Sequence, residues 1–243
     1  TNKPKMMYTF ETRTTNVLII GASGRTGNYI VEALAAQSND TDNSTKVNIS
    51  AFARKPDSLD PSISALCANV IQGDARNSKD IDRALKFSNA DIVVVSVGNG
   101  DNVGKSDIRT SSAQALTDVL QKRRFQHVKV LVVSSIGAGK SRIKAGFGIG
   151  RLIEYHLRHI LNDHNGQEAA FLSNPSIENR TMILRPTGLT EGESPDHGKM
   201  VSFDDHEKCP TMKTDRKDLA EFAAKQMLFE ETIRFGAKPM NIT

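Results

Sequence analysis

Apolar and polar positions fall into blocks along the chain, and the period changes from block to block. Val17–Ile20 is a short unbroken apolar run, and Thr26–Ala36 then carries its apolar residues at helical spacing. The exchange repeats. Strands are predicted over Val47–Ala53, Ala68–Gln72, Asp91–Val97, Val128–Ser134 and Arg180–Leu184. Helices are predicted near Ser78–Lys86 and over Ser106–Arg123, Gly150–Asn162, Asn165–Leu172 and Asp215–Phe229, the last with Asp215 as its N-cap. Strands alternating with helices of this length imply βαβ units and a parallel sheet. Runs such as DIVVVSV fit strands covered on both faces. The expected class is α/β, a doubly wound parallel sheet with a small substrate-side excursion.

Ser38–Lys46 reads as a solvated loop, and Glu191–Thr211 has no strong period. The expected organisation is an N-terminal extension over residues 1–15 and a single domain over 16–243. Its substrate-side segment spans about residues 186–214.

The 243 residues are enough to bury a full core. A net charge of +4 is too small and too scattered to imply nucleic acid. Cys67 and Cys209 form no CxxC pair, so a reducing compartment is expected. No apolar run approaches the roughly 18 residues that cross a bilayer. The first fifteen residues lack the apolar core of a secretory signal. The chain opens on Thr rather than Met, which implies processing or trimming. A cytoplasmic location is expected, with an organelle after transit-peptide removal left open. No membrane partner is expected, and oligomeric state stays open.

The candidate chemistry begins at the first strand–helix junction, NVLIIGASGRTGNYIVEAL. Gly21, Gly24 and Gly27 follow a strand and open a helix. The first permits a tight turn, the second lets a pyrophosphate approach the backbone, and the third lets helix and strand pack closely. Free N–H groups there favour a bound phosphate. The spacing is GxxGxxG rather than GxGxxG, and the strand–turn–helix context carries the reading. It predicts a Rossmann-type dinucleotide site over Gly21, Ala22, Ser23, Gly24, Arg25, Thr26 and Gly27.

The end of the second strand faces the adenosine ribose. NAD sites usually place an acid there, whereas this chain has Arg54 and Lys55, with Arg25 near by. Two cations suit a 2′-phosphate, so NADP(H) is the expected cofactor. Asp74, after the third strand, can accept from the adenine amino group or merely cap the next turn. Small residues after the fourth strand, in SVGNG, let the backbone pass the cofactor ribose.

With these loops read, the chain resembles an atypical short-chain dehydrogenase/reductase of the NAD(P)H-binding, NmrA-like group. It is most similar there to the biliverdin-IXβ reductase/flavin reductase proteins. The matching pieces are GASGRTG, FARKPDS, QGDARN, DIVVVSVG, VKVLVVSS, ILRPTGLTEG and TDRKDLAEF. The resemblance implies that Asp74 and Ala75 line the adenine pocket and that Val97 and Gly98 pass the ribose. It puts Ser134 and Ser135 near the nicotinamide, with Pro186, Thr187, Gly188 and Leu189 beside its amide. Asp218 becomes a structural anchor.

The wider superfamily protonates carbonyls with a YxxxK pair. Here the pair would fall at His164 and Glu168, and neither type matches. Tyr155 has His159 as its i+4 neighbour. Ordinary Tyr–Lys carbonyl reduction is therefore not expected. Hydride transfer to a flavin or bilin does not require that pair. Ser135, as a hydrogen-bond donor, and His164, as a proton donor near neutral pH, are the candidate catalytic residues. His156, His159, Asp163 and His164 lie partly on one predicted helical face, but without HExxH no metal is expected. Lys140, Arg142, Lys144 and Arg151 follow the fifth strand and suit a small anionic substrate as well as they suit solvent. The expected function is an NADPH-dependent reductase of a flavin, bilin or similar conjugated or carbonyl acceptor. The alternative is an NADP(H)-binding redox sensor or assembly factor without turnover.

Overall fold

The unbroken apolar runs have a simple cause, visible in β1 (Arg13–Ile20). Successive side chains of a strand turn to opposite faces. Val17 and Ile19 enter one hydrophobic core, and Leu18 and Ile20 enter another. None of the four is more than 2% exposed. Burying one such side chain contributes about 1.5–3 kcal/mol, so both faces of the strand favour apolar residues.

The computed structural model describes residues 13–38, 45–192, 200–205, 207–229, 235–236 and 238–243. Strands β2 (Thr45–Ala53), β3 (Asn69–Gln72), β4 (Ile92–Val95), β5 (Lys129–Val133) and β6 (Thr181–Pro186) join β1 in one sheet. Three shorter strands, β7 (Gly188–Thr190), β8 (Ser202–Phe203) and β9 (Lys213–Asp215), precede β10 (Met240–Ile242). The eight-stranded order is β3-β2-β1-β4-β5-β6-β10-β8. Every pairing in it is parallel except β10 with β8. β7 and β9 form a separate two-stranded sheet. This is a Rossmann architecture.

Helices α1 (Arg25–Ser38) and α8 (Arg216–Leu228) close the first core through Ile30, Leu34, Leu219 and Ala223. The short α2 (Pro61–Ala65) adds Ile63. On the other face, α3 (Ser78–Ser88), α4 (Ile108–Leu120) and α6 (Arg158–Leu172) contribute Ile81, Leu116 and Phe171. The Asp215 side chain accepts from Lys217 N at 2.8 Å and caps α8 as expected.

The predicted division of the helix after β5 is wrong in position. α5 (Ile149–His156) gives way to α6 at Leu157, not near residue 163. Leu157 keeps near-helical angles (φ −88°, ψ 7°), so the apolar period runs through the joint and does not mark it. A four-residue α7 (Pro175–Glu178), capped by Asn174, leads into β6. Residues 1–12 of the expected extension, 39–44 of the expected loop, and 193–199 and 206 of the expected substrate-side segment lie outside the described residues.

A candidate dinucleotide cleft

The three glycines of the first turn carry different constraints. Gly21 has φ +95°, and a Cβ there would lie 2.5 Å from the Ser96 carbonyl oxygen. A Cβ on Gly27 would overlap the Gly21 carbonyl oxygen and come within 2.9 Å of Ala22 Cα. These two positions let the turn fold on itself and on β4. Gly24 is different: a Cβ would meet the Gly21 oxygen at 3.3 Å and little else. Its open side faces the cleft. Gly24 N donates to Gly21 O at 3.0 Å, and Asn28 N to Gly24 O at 2.9 Å, which starts α1 at the turn.

β1 lies between β2 and β4, where the sheet order reverses direction, and ligands of open α/β sheets bind at that crevice. A cleft of about 200 Å³ opens there. Of the expected site residues it brings together Gly24, Arg25, Thr26, Val97, Gly98, Ser134, His164 and Leu189. Arg54 and Lys55 are exposed just past β2. Ala22 is buried beneath the turn and Ser23 is exposed. Pro186 ends β6. Thr187 is buried and bonded to the Thr214 and Thr243 hydroxyls, and Gly188 pairs with Lys213. These contacts hold β7, which carries Leu189.

Two expected residues, Ser135 and His164, sit differently from their assigned roles, and Asp74 and Ala75 lie outside the cleft. Ser135 Oγ donates to the Ile136 carbonyl at 3.1 Å and does not line the cleft; its neighbour Ser134 does. Alternation along the strand end turns one serine in and the other away. Asp74 accepts from Arg76 N at 2.9 Å and from its guanidinium at 2.8 and 3.1 Å. Its carboxylate is therefore engaged locally, as a turn cap. Ala75 is half-buried against the second core. His164 lines the cleft, but burial pushes its pKa down to about 3, and the nearby Arg109 charge pushes the same way. At neutral pH the ring is uncharged, so the acidity expected of an ordinary histidine is absent.

The four candidate metal residues do not converge. Asp163 turns to α4, accepting from Arg109 N at 3.1 Å and Thr110 N at 2.9 Å, while His164 turns to the cleft. The loop cations also divide. Lys140 lines a larger cavity of about 840 Å³ between α6 and β6, β10 and β8; Arg142, Lys144 and Arg151 line a separate hollow of about 630 Å³ beside Glu154. The larger cavity mixes signs, with Arg185 and Lys238 against Glu168, Asp204, Asp205 and Glu207.

Sequence reasoning missed Arg109 and Arg216, which also line the cleft. Arg109 Nη1 lies 3.4 Å from Asp163 Oδ2, and a Cβ on Gly98 would lie 3.2 Å from Arg109 Nη2. Arg216 Nη1 lies 3.3 Å from Glu191 Oε1, which is 3.6 Å from Arg25 Nε; Arg25 also pairs with Asp101. The Glu168–Arg185 pair was missed as well. Ser134 Oγ donates to Glu168 Oε1 at 2.6 Å, and Arg185 grips the same carboxylate through Nε at 2.9 Å and Nη2 at 2.6 Å. Nothing local in the sequence links residues 17 to 54 positions apart.

Comparison with known proteins finds the same fold. The chain resembles in structure a short-chain dehydrogenase/reductase from Veillonella parvula in complex with NADP. The TM-score is 0.67 and the identity 14%, covering 95% of this chain and 94% of that one. The anaerobilin reductase ChuY from Escherichia coli matches at TM-score 0.66 and 16% identity, over 93% and 95% of the two chains. A Rossmann-fold NAD(P)-binding protein from Shigella flexneri matches at 0.62 and 20%, over 96% and 93%. No curated protein matches by sequence. A family model described as NAD(P)H-binding matches residues 21–229, most of the chain. With the glycine turn, the strand reversal and that match in agreement, the chain belongs to the NAD(P)H-binding family.

Proposed function

We propose that the protein is an NADPH-dependent reductase that transfers hydride to a flavin, a bilin or a similar conjugated or carbonyl acceptor, without a Tyr–Lys pair. The observation that carries this reading is the cleft itself. It joins a phosphate-cradling glycine turn to Ser134 and His164 at the end of β5 and on α6. Arg54 and Lys55, with no acid in that position, favour a 2′-phosphate over a free ribose hydroxyl. The NADP complex and the anaerobilin reductase among the structural relatives support the same direction by analogy.

In this reading Gly21–Gly27 hold the pyrophosphate, Val97 and Gly98 pass the ribose, and Pro186–Leu189 flank the nicotinamide amide. When bound, NADPH supplies the hydride. The chain's own residues orient the ring. Neutral His164 offers no ready acid, so the acceptor takes its proton from solvent. Nucleic acid and membrane are not partners in this reading, and among the described residues no helix is long and apolar enough to cross a membrane.

The test is NADPH oxidation, followed by absorbance, against riboflavin, FMN, a biliverdin, a quinone and an aldehyde, with NADPH binding measured in parallel. Turnover on a flavin or bilin is the expected result. Tight NADPH binding with no turnover on any acceptor replaces this reading with an NADP(H)-binding sensor.

A further inference from the structure

We infer that Glu168 is a positioning residue: it fixes Ser134 as a hydrogen-bond acceptor toward the cleft. The site then recognises a ligand N–H donor there, foremost the carboxamide of a nicotinamide ring. This rests on the dinucleotide reading above and adds the polarity of its ring-binding end.

The location follows from the sheet. The turn after β1 takes the pyrophosphate, and Arg54 and Lys55 mark the adenosine side over β2. The other half of a dinucleotide must therefore extend over β4 and β5. Ser134 stands at that end. Its backbone is fixed by a 2.7 Å bond from Ser134 N to Leu184 O, and the residue is 4% exposed.

The polarity follows from the partners. A serine hydroxyl has one proton and two lone pairs. A carboxylate held bidentately by a guanidinium only accepts. The 2.6 Å bond to Glu168 Oε1 therefore takes the Ser134 proton and leaves the lone pairs. Arg185 is itself anchored by Asp205 at 3.3 Å, so the carboxylate has no free rotation. His164 does not reverse this. Its Nδ1 is 3.5 Å from Ser134 Oγ, a long contact, and 3.2 Å from Gln167 Oε1. In either tautomer the 3.5 Å contact is too long to compete with the 2.6 Å bond for the Ser134 proton. Where a tyrosine and a lysine would present a donor, this chain presents an acceptor.

The test compares equilibrium binding of NADP⁺ with that of its 3-acetylpyridine analogue, in which a methyl group replaces the carboxamide NH₂. The wild-type protein should prefer NADP⁺ by about tenfold, the worth of one well-made hydrogen bond. In Ser134→Ala the preference should fall to near one. In Glu168→Met with Arg185→Met the pair is replaced by apolar side chains of similar volume, a change that buried ion pairs often tolerate. The freed hydroxyl can then turn its proton to the cleft, and the preference should vanish or invert. Glu168→Asp withdraws the carboxylate from Ser134 while keeping a charge for Arg185, and should lower the preference even if the double variant does not fold. A merely structural role would weaken both ligands alike and leave the ratio unchanged. A wild-type ratio of one, or an unchanged ratio in Ser134→Ala or Glu168→Asp, overturns the inference. Failure of the wild-type protein to bind either dinucleotide overturns the NADPH reading itself.

Discussion

The Asp163 carboxylate meets the Arg109 guanidinium at 3.4 Å across the contact between α4 and α6, and the two side chains are 0% and 11% exposed. The same carboxylate accepts from the backbone N–H groups of Arg109 and Thr110 and from the Thr110 hydroxyl. It thus anchors the first turn of α4 to the helix that carries His164. Asp163→Ala leaves a buried guanidinium uncompensated and two N–H groups without partners. Breaking such a pair from one side costs about 3–5 kcal/mol. Urea denaturation should show a loss of that order, and a change under 1 kcal/mol would remove Asp163 from this role.

His164 makes stability depend on pH. Its pKa is about 3 in the folded protein and near the ordinary 6.5 when unfolded. Between those values the unfolded chain binds the extra proton, so this contribution is complete above pH 6.5 and is lost as pH falls toward 3. The loss is on the order of a few kcal/mol. Urea midpoints measured from pH 7 to 4 should fall more steeply for the wild-type protein than for His164→Asn. Parallel curves would show that the ring is not held neutral by burial.

Gly24 and Gly27 should separate binding from folding. Gly24→Val brings a Cβ to 3.3 Å from the Gly21 oxygen, a tight contact that a shift of a few tenths of an ångström relieves, and places its side chain where a pyrophosphate would lie. It should keep the wild-type circular dichroism spectrum and lose NADPH binding. Gly27→Val collides with the backbone of Gly21 and Ala22 and should lower the melting temperature or prevent folding. Retained NADPH affinity in Gly24→Val would mean the turn does not cradle the pyrophosphate.

Arg54→Ala combined with Lys55→Ala should weaken NADPH about tenfold or more and NADH less than twofold. Both side chains are exposed past β2, so the fold should be unaffected. Fluorescence titration with each nucleotide measures the difference. Equal losses would sink the 2′-phosphate assignment.

The sheet was legible because its signals are local. β4 is a continuous apolar run, β1 and β5 contain one over Val17–Ile20 and Val130–Val133, Asp215 caps α8 by its own spacing, and the glycine turn lies between a strand and a helix. β7 to β10 were not legible, because two or three residues carry no measurable period. The cleft was half legible for a related reason. Backbone-binding positions repeat a local pattern, but Arg109 reaches Asp163 and Ser134 reaches Glu168 through tertiary packing alone. The choice between Ser134 and Ser135 needed the strand's phase, which a one-residue error reverses. The ionisation of His164 needed its burial, which residue type does not reveal.

The bonds around Thr243 set an order of events during synthesis. Thr243 Oγ1 lies 3.1 Å from the carbonyl oxygens of both Thr211 and Lys213, which share its one proton, and Thr187 N donates to Ile242 O. β10 also covers the edge of β6. A ribosome that has released only the residues through α8 therefore exposes a chain with a glycine turn already able to form. The edge of β6 is still bare, and the turn from β6 into β7 is not yet pinned by Ile242. The Gly24 end of the cleft can mature early; the Leu189 end must wait until residues 240–243 emerge. A stalled or truncated nascent chain would carry an open strand edge, and that edge is where such a chain would associate with others.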